Sequence, residues 1–250
     1  MNPITIIPAR MAASRLPGKP LADIEGAPMI QRVIERARLS GRGAIAVAAA
    51  EPQIVAAAES AGARAVLTDP DLPSGTDRIH AALATLDPEG RHDVVVNLQG
   101  DMPTFDPALL GAVLDVLEAM PEADIATLVS PSDDPGERAD PNVVKAVLCG
   151  AGASSPARCL YFTRATAPSG EGPVMRHVGL YAYRRRALDR FVAAPPSSLE
   201  LREKLEQLRA LELGMVIGAG VVDGFPKGVD TPEHLEAARQ WYRRAGHGKP

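Results

Sequence analysis

Five charged side chains stand where they could do chemistry. The segment IIPARMAASRLPGKPL, residues 6–21, carries Arg10, Arg15 and Lys19, and no acid follows until Asp23. Arginine offers a planar fork and lysine a point charge, and both suit phosphate oxygens. The small residues Ala9, Ala12, Ala13, Ser14 and Gly18 let backbone N–H groups approach an anion closely. A solvated basic loop is the bland alternative. Three cations without nearby acids, directly after an apolar run, favour a polyphosphate cradle instead. Asp101 follows the apolar run of VVVNLQGDMP, and Asp230 lies in GVDTPE, also after an apolar segment. Either aspartate alone could merely cap a turn. Two carboxylates at two strand ends can bracket one hard cation, and Mg²⁺ is commonly held by one or two carboxylates plus substrate phosphates.

Other motifs are weaker. PSGTDR, residues 73–78, is a small flexible loop before a helix, able to read a base edge or simply to cap the helix. His177 and Tyr181 in MRHVGLYAY are four apart, hence on one face of a strand. Arg164 is a lone cation after aromatic residues in YFTRATAP. The chain has no G-x-x-x-x-G-K-[ST] and no G-x-G-x-x-G after its first apolar run, so phosphates would be held by side chains and backbone rather than by a glycine loop. Cys149 and Cys159 lack metal spacing and are expected to be small buried hydrophobes.

The elements that must position these residues alternate. ITII (4–7), AIAVA (44–48), RAVL (64–67) and DVVVN (93–97) read as buried parallel strands, with helices over 28–39, 51–61, 76–86 and about 107–119 between them. This rhythm predicts a doubly wound α/β sheet. After DIATLV (124–129) it changes. Residues 131–141 are rich in Pro, Asp and Gly and read as a loop; NVVKAVLC, RCLYFTR and MRHVGLYAYRR read as strands of an antiparallel extension. The capping box Ser197-x-x-Glu200 opens one helix through LELREKLEQLRALEL, then MVIGAGVV returns as a strand, and Thr231 with Pro232 opens a last helix. The expected organisation is one domain over 1–250, with the extension at about 131–213.

Composition narrows the class. Among 250 residues, 27 cations face 31 anions, a net charge of −4. Nothing in that balance suggests a nucleic-acid partner. No apolar run is long enough to span a membrane, and the amino terminus has no cationic leader, so a cytoplasmic protein is expected.

Six segments together, IIPARMAASRLPGKPLADIEGAPMI, NLQGDMP, YFTRATAP, RHVGLYAYR, LEQLRALELG and GVDTPEHLE, resemble the 3-deoxy-manno-octulosonate cytidylyltransferase (CMP-Kdo synthetase) family, in order from residue 4 to about 240. The resemblance implies a Rossmann-like nucleotide-diphospho-sugar transferase fold: a mixed, mainly parallel sheet with an antiparallel dimerisation and sugar-binding extension. It implies CTP and 3-deoxy-manno-octulosonate (Kdo) as substrates, CMP-Kdo and pyrophosphate as products, Mg²⁺ as cofactor, a homodimer, and a place in lipopolysaccharide synthesis. By the same resemblance, Arg10, Arg15 and Lys19 serve the triphosphate, and Arg10, Lys19, Asp101 and Asp230 the chemistry. Asp101 and Asp230 would hold the metal. Pro8, Ala9, Ser74, Gly75 and Gln99 surround the nucleotide, and Gln99, Arg164, His177, Tyr181, Glu206 and Gln207 hold the sugar acid. The chain departs from the family pattern at Ala13, Ala49, Ala50 and Met102, where a hydroxyl and carboxylates are usual. Two alternatives stay open: a cytidylyltransferase for a related sugar acid, amino-Kdo or sialic-type, and a non-catalytic nucleotide-binding paralogue.

Overall fold

The computed structural model describes residues 1–12, 15–150 and 156–246, so the expectations for Ala13 and Ser14 lie outside the described residues. The chain divides into two compact units, 1–110 with 226–250, and 111–225. The expected extension at 131–213 falls inside the second.

The first unit is the α/β part. Strand β1 (Pro3–Ala9) leads into a basic loop and a single 3₁₀ turn, Lys19–Leu21. A two-stranded ribbon, β2 (Asp23–Ile24) and β3 (Ala27–Pro28), closes through Glu25 and Gly26, both at positive φ, as a two-residue hairpin of primed type requires. Then α1 (Met29–Leu39), β4 (Ala44–Ala49), α2 (Pro52–Ser60), β5 (Arg64–Leu67), α3 (Gly75–Leu86) and β6 (Val94–Asn97) alternate. The strands lie in the order β5-β4-β1-β6, all parallel. Helix α1 buries Met29, Ile30, Val33, Ile34 and Ala37, one stripe at helical spacing, and leaves Glu35 and Arg38 toward solvent. The inner strands β1, β4 and β6 are largely apolar on both faces, as a parallel sheet covered by helices demands, whereas the edge strand β5 buries no residue.

Helix α4 (Ala108–Ala119) carries the chain into the second unit. There β7 (Ile125–Ser132), a short helix α5 (Pro135–Ala139), β8 (Lys145–Cys149), β9 (Ala157–Thr163), β10 (Val174–Arg184), α6 (Arg185–Ala193), α7 (Ser198–Glu203), α8 (Gln207–Glu212) and β11 (Ile217–Val221) follow. Within this unit the order is β10-β7-β11-β9-β8; β11 runs parallel to β7 and the other pairings are antiparallel. Gly218 on β11 is needed for packing, because a Cβ there would meet Met120 Sδ and Val116 Cγ1 at 2.9 Å each. Helix α9 (Pro232–Gly246) returns the chain to the first unit.

Four expectations are corrected. Residues 131–141 are not all loop: β7 runs to Ser132, and Asp134 accepts the Gly136 N–H at 2.7 Å to cap α5. Helix α6 had no counterpart in the sequence reading. The helix expected through 199–213 is two, broken at Lys204, which adopts φ 55° and ψ 47°. The break lets the Arg209 guanidinium grip the Glu200 carboxylate at 2.8 and 2.6 Å. Nine residues of unbroken helix would separate their backbones by roughly 13 Å. Finally, Cys159 is buried but Cys149, at the end of β8, is exposed.

Candidate active site

The parallel strands of the first unit end together. Pro8 and Ala9 of β1 pair with Ala48 and Ala49 of β4, and Leu98 just past β6 donates its N–H to Ile6 O. Ligands of open α/β sheets bind beyond these carboxyl ends. A cavity of about 770 Å³ opens there, within the usual range for small-molecule sites. Gly100 keeps its floor close, since a Cβ at that position would lie 2.9 Å from Pro8 O.

The basic loop reaches this cavity by identifiable means. The Glu51 carboxylate accepts the Met11 N–H at 2.9 Å, and Ala50 N–H bonds Ala9 O at 3.0 Å, which fixes how the chain leaves β1. Gly18 takes φ 72° and donates its N–H to Met11 O, closing the loop and setting Lys19 at the head of the 3₁₀ turn. Beneath it, Leu16 and Ala22 pack on a cluster of Ile24, Met29, Val229, Leu235 and Ala238. That cluster brings the segment before α9 against the loop, although more than 200 residues separate them in the chain. Val229 N–H then bonds Asp101 O at 2.8 Å, so the two carboxylate-bearing segments are tied together.

The result is an ion-pair network of four residues, two cations and two carboxylates. Lys19 Nζ lies 2.8 Å from Asp101 Oδ2 and 3.0 Å from Asp230 Oδ1, while Arg15 Nη2 is 3.1 Å from Asp230 Oδ2. Burial alone would lower the Lys19 pKa, but Asp101 and Asp230 outweigh it and hold the ammonium above its ordinary value. Burial would likewise raise Asp230; its hydrogen bond and charge contact with Lys19, then Arg15 and His234, hold the carboxyl below its usual range. The site therefore keeps both signs ionised.

The residues expected around the nucleotide, Pro8, Ala9, Arg10, Arg15, Lys19, Ser74, Gly75 and Gln99, all line this cavity, and so do the two expected metal carboxylates, Asp101 and Asp230. Ser74 caps α3, accepting the Asp77 N–H at 3.1 Å and donating its own proton to Asp77 Oδ2 at 2.6 Å. Gly75 is the first residue of that helix, and with Ser74 it sets the helix's amino end, the positive end of its dipole, in the cavity wall. Gln99 Nε2 donates to Asn97 Oδ1 at 2.9 Å. Of the departures from the family pattern, Ala49, Ala50 and Met102 are all buried, so apolar packing takes their place.

Sequence reasoning missed Arg78, which also lines the cavity and is only 2% exposed. Its guanidinium donates to Thr68 Oγ1 at 2.6 Å, Asp69 O at 3.0 Å and Pro70 O at 3.3 Å, bracing the loop that leads to Ser74. Burial, then the charge of Arg10, lowers its pKa. Nothing beside Arg78 in the chain marks this role, because the oxygens it grips belong to residues 68–70, before the helix begins.

The remaining sugar-side residues lie in the second unit. His177 and Tyr181 share one face of β10, with ring centroids 5.3 Å apart. Both are neutral. Burial pulls His177 down to about 3 and pushes Tyr181 well above its ordinary value, with Tyr183, Glu206 and Cys159 adding to the second shift. Glu206 precedes α8 and Gln207 is its first residue. Arg164 spends its fork on main-chain carbonyls, Glu203 at 2.9 Å, Pro141 at 2.9 Å and Lys204 at 3.3 Å, which satisfies the carboxyl end of α7.

Known proteins share both the sequence and the fold of this chain. A family model described as cytidylyltransferase matches residues 4–217. The 3-deoxy-manno-octulosonate cytidylyltransferase of Parvibaculum lavamentivorans is 59% identical over 238 residues, covering 95% of this chain and 92% of that protein. The protein of the same name from Rhodospirillum centenum is also 59% identical with the same coverage. Among solved structures, a CMP:2-keto-3-deoxy-manno-octonic acid synthetase in complex with CTP superposes with a TM-score of 0.90 at 36% identity, covering 98% of this chain and all of that one. A cytidylyltransferase from Leptospira borgpetersenii shares the fold, with a TM-score of 0.64 at 15% identity.

Proposed function

This chain belongs to the 3-deoxy-manno-octulosonate cytidylyltransferase family, and we propose on that footing that it transfers CMP from CTP to 3-deoxy-manno-octulosonate, releasing pyrophosphate. One observation carries the reading: Lys19 bridges Asp101 and Asp230 in a cavity also lined by Arg10 and Arg15. A site built only to bind a neutral nucleoside has no use for five charges at one point.

In the reaction, the anomeric hydroxyl of the sugar acid attacks the α-phosphorus of CTP. A bond from that oxygen to phosphorus forms as its proton is released to solvent, the bond to the bridging oxygen breaks, and pyrophosphate leaves with the electron pair. Arg10, Arg15 and Lys19 bind the triphosphate and offset charge that grows on the departing pyrophosphate. No covalent enzyme intermediate is needed. Ser74, Gly75 and Gln99 surround the nucleotide at the strand ends.

The donor set suits Mg²⁺. Two carboxylates already converge within hydrogen-bond reach of one atom, Lys19 Nζ, and hard oxygen ligands plus substrate phosphates are what this ion takes. Among the described residues no cluster of three or more His, Cys, Asp or Glu offers an all-protein cage, so phosphate and water oxygens would complete the shell. Asp101 and Asp230 would hold the ion, which when bound would polarise the α-phosphate.

We read the protein as homodimeric and cytoplasmic, serving lipopolysaccharide synthesis. Exposed Leu160 on β9 and Val221 on β11 support a surface for a second copy. No described helix is long and apolar enough to cross a membrane. The deciding assay supplies Mg²⁺ and each nucleoside triphosphate in turn, with and without the sugar acid, and follows pyrophosphate. Release that needs both CTP and Kdo is expected; release with ATP or GTP, or independent of Kdo, would reject the reading.

A further inference from the structure

A threonine buried in the middle of the second unit does more than fill its strand. In the β10–β7 ladder, Val178 pairs with Leu128 and Tyr181 with Thr127, so β10 advances three residues while β7 advances one. The surplus is two residues, an even number, so the alternation of faces survives and His177 and Tyr181 still point the same way. Thr127 stands where the irregularity is filled. It is wholly buried, and its strand also pairs with β11 on the other side through Ala219.

Its hydroxyl oxygen has three neighbours: Leu180 O at 2.9 Å, Val178 O at 3.1 Å and His177 Nε2 at 3.0 Å. The assignment of protons follows from chemistry alone. A hydroxyl has one proton, and the two carbonyl oxygens can only accept it. Toward His177 the threonine oxygen therefore offers a lone pair. Nε2 must carry the proton for that contact to be a hydrogen bond. The ring is held in place by Phe162, edge-on at 5.0 Å, and by Tyr181. Burial keeps the imidazole neutral, so only one of its nitrogens is protonated.

We infer that Thr127 is a positioning residue: it locks His177 as the Nε2–H tautomer, so that Nδ1 is the acceptor turned to a hydroxyl group of the sugar acid. This rests on the reading that His177 holds that substrate. The other tautomer would set a bare Nε2 against the threonine lone pair, two acceptors facing each other at 3.0 Å.

The test uses the full-length enzyme with ¹⁵N-labelled histidine. In the wild type, His177 should show a protonated Nε2 and a bare Nδ1. Thr127→Val, nearly isosteric but without the hydroxyl, should lose that fixed assignment and raise the KM for Kdo about tenfold, leaving the KM for CTP within about twofold. Thr127→Ser should restore both the tautomer and the KM, which a purely space-filling role would not predict. A wild-type spectrum with the proton on Nδ1 overturns the inference without needing any variant to fold. So does a Thr127→Val enzyme with unchanged tautomer. His177→Ala separates the two layers: an unaltered KM for Kdo there rejects the substrate contact itself, even if the tautomer is as stated.

Discussion

The charged cavity of the first unit and the aromatic cluster of the second treat buried ionisable groups in opposite ways. Around Lys19, burial and opposite charge compete, and charge wins: the ammonium is held above its ordinary pKa and Asp230 below its own. Around His177, burial meets no counter-charge: the imidazole falls to about 3 and Tyr181 rises, so both stay neutral. The difference teaches that depth alone does not decide ionisation; the partner does. It also matches the chemistry each region would serve. A triphosphate must be met with full charges, whereas sugar hydroxyls are sorted by neutral donors and acceptors.

The comparison can be broken from several sides. The second unit does contain a buried ion pair, Glu200 with Arg209, with side chains only 12% and 7% exposed. If a buried charge there is tolerated only because it is paired, Arg209→Ala should destabilise the protein by about 3–5 kcal/mol, read from the denaturant midpoint. A loss below ~1 kcal/mol would show that this unit accepts unpaired charge after all.

In the first unit, Lys19→Ala and Asp101→Asn should each slow pyrophosphate release ~100- to 1000-fold while the folded signal is kept, because each removes preorganised charge from the reacting phosphates. Near-normal turnover in either would remove the pair from the chemistry.

Acid should separate the regions by pH. The His177 pKa is lower folded than unfolded, so the unfolded chain binds the extra proton first. Its contribution to stability is present at neutral pH and is lost as pH falls from about 6.5 toward about 3, with a slope of at most ~1.4 kcal/mol per pH unit. Asp230 has a depressed pKa, so its contribution is present above about 3.8 and is lost only as pH falls below that value. His177→Gln should flatten the loss between pH 6.5 and 4; Asp230→Asn should not. Equal acid profiles for the two variants would erase the distinction.

The smallest effect sharpens how the loop is held. Glu51→Ala leaves the Met11 N–H without its carboxylate and should raise the KM for CTP roughly tenfold with a lesser change in kcat. Glu51→Gln, which keeps an acceptor, should recover most of it.

The cation loop and both aspartates were legible because they follow apolar runs or precede a helix cap, signals that depend on neighbours in the chain; the nucleotide-side positions Pro8, Ala9, Ser74, Gly75 and Gln99 were legible only through the family resemblance. Arg78, Glu51 and Thr127 were not. Their roles rest on Thr68, Met11 and His177, partners 10, 40 and 50 residues away, and no local pattern marks such a partner. The break at Lys204 was hidden for the same reason, since helix periodicity over 199–213 is good and the bonds that hold the break, Arg209 to Glu200 and Arg164 to the Glu203 and Lys204 carbonyls, join residues that are not neighbours in the chain.

Sequence alone determined the alternation of strands and helices, the apolar faces and the types of residue available for phosphate and metal, because these follow from periodicity and side-chain chemistry. The tertiary structure decided which of those residues meet. Leu16 and Val229 pack in one cluster, Val229 bonds Asp101, and Lys19 thereby closes between two acids. Burial and partner charge, neither of which belongs to any single residue, then set who is ionised.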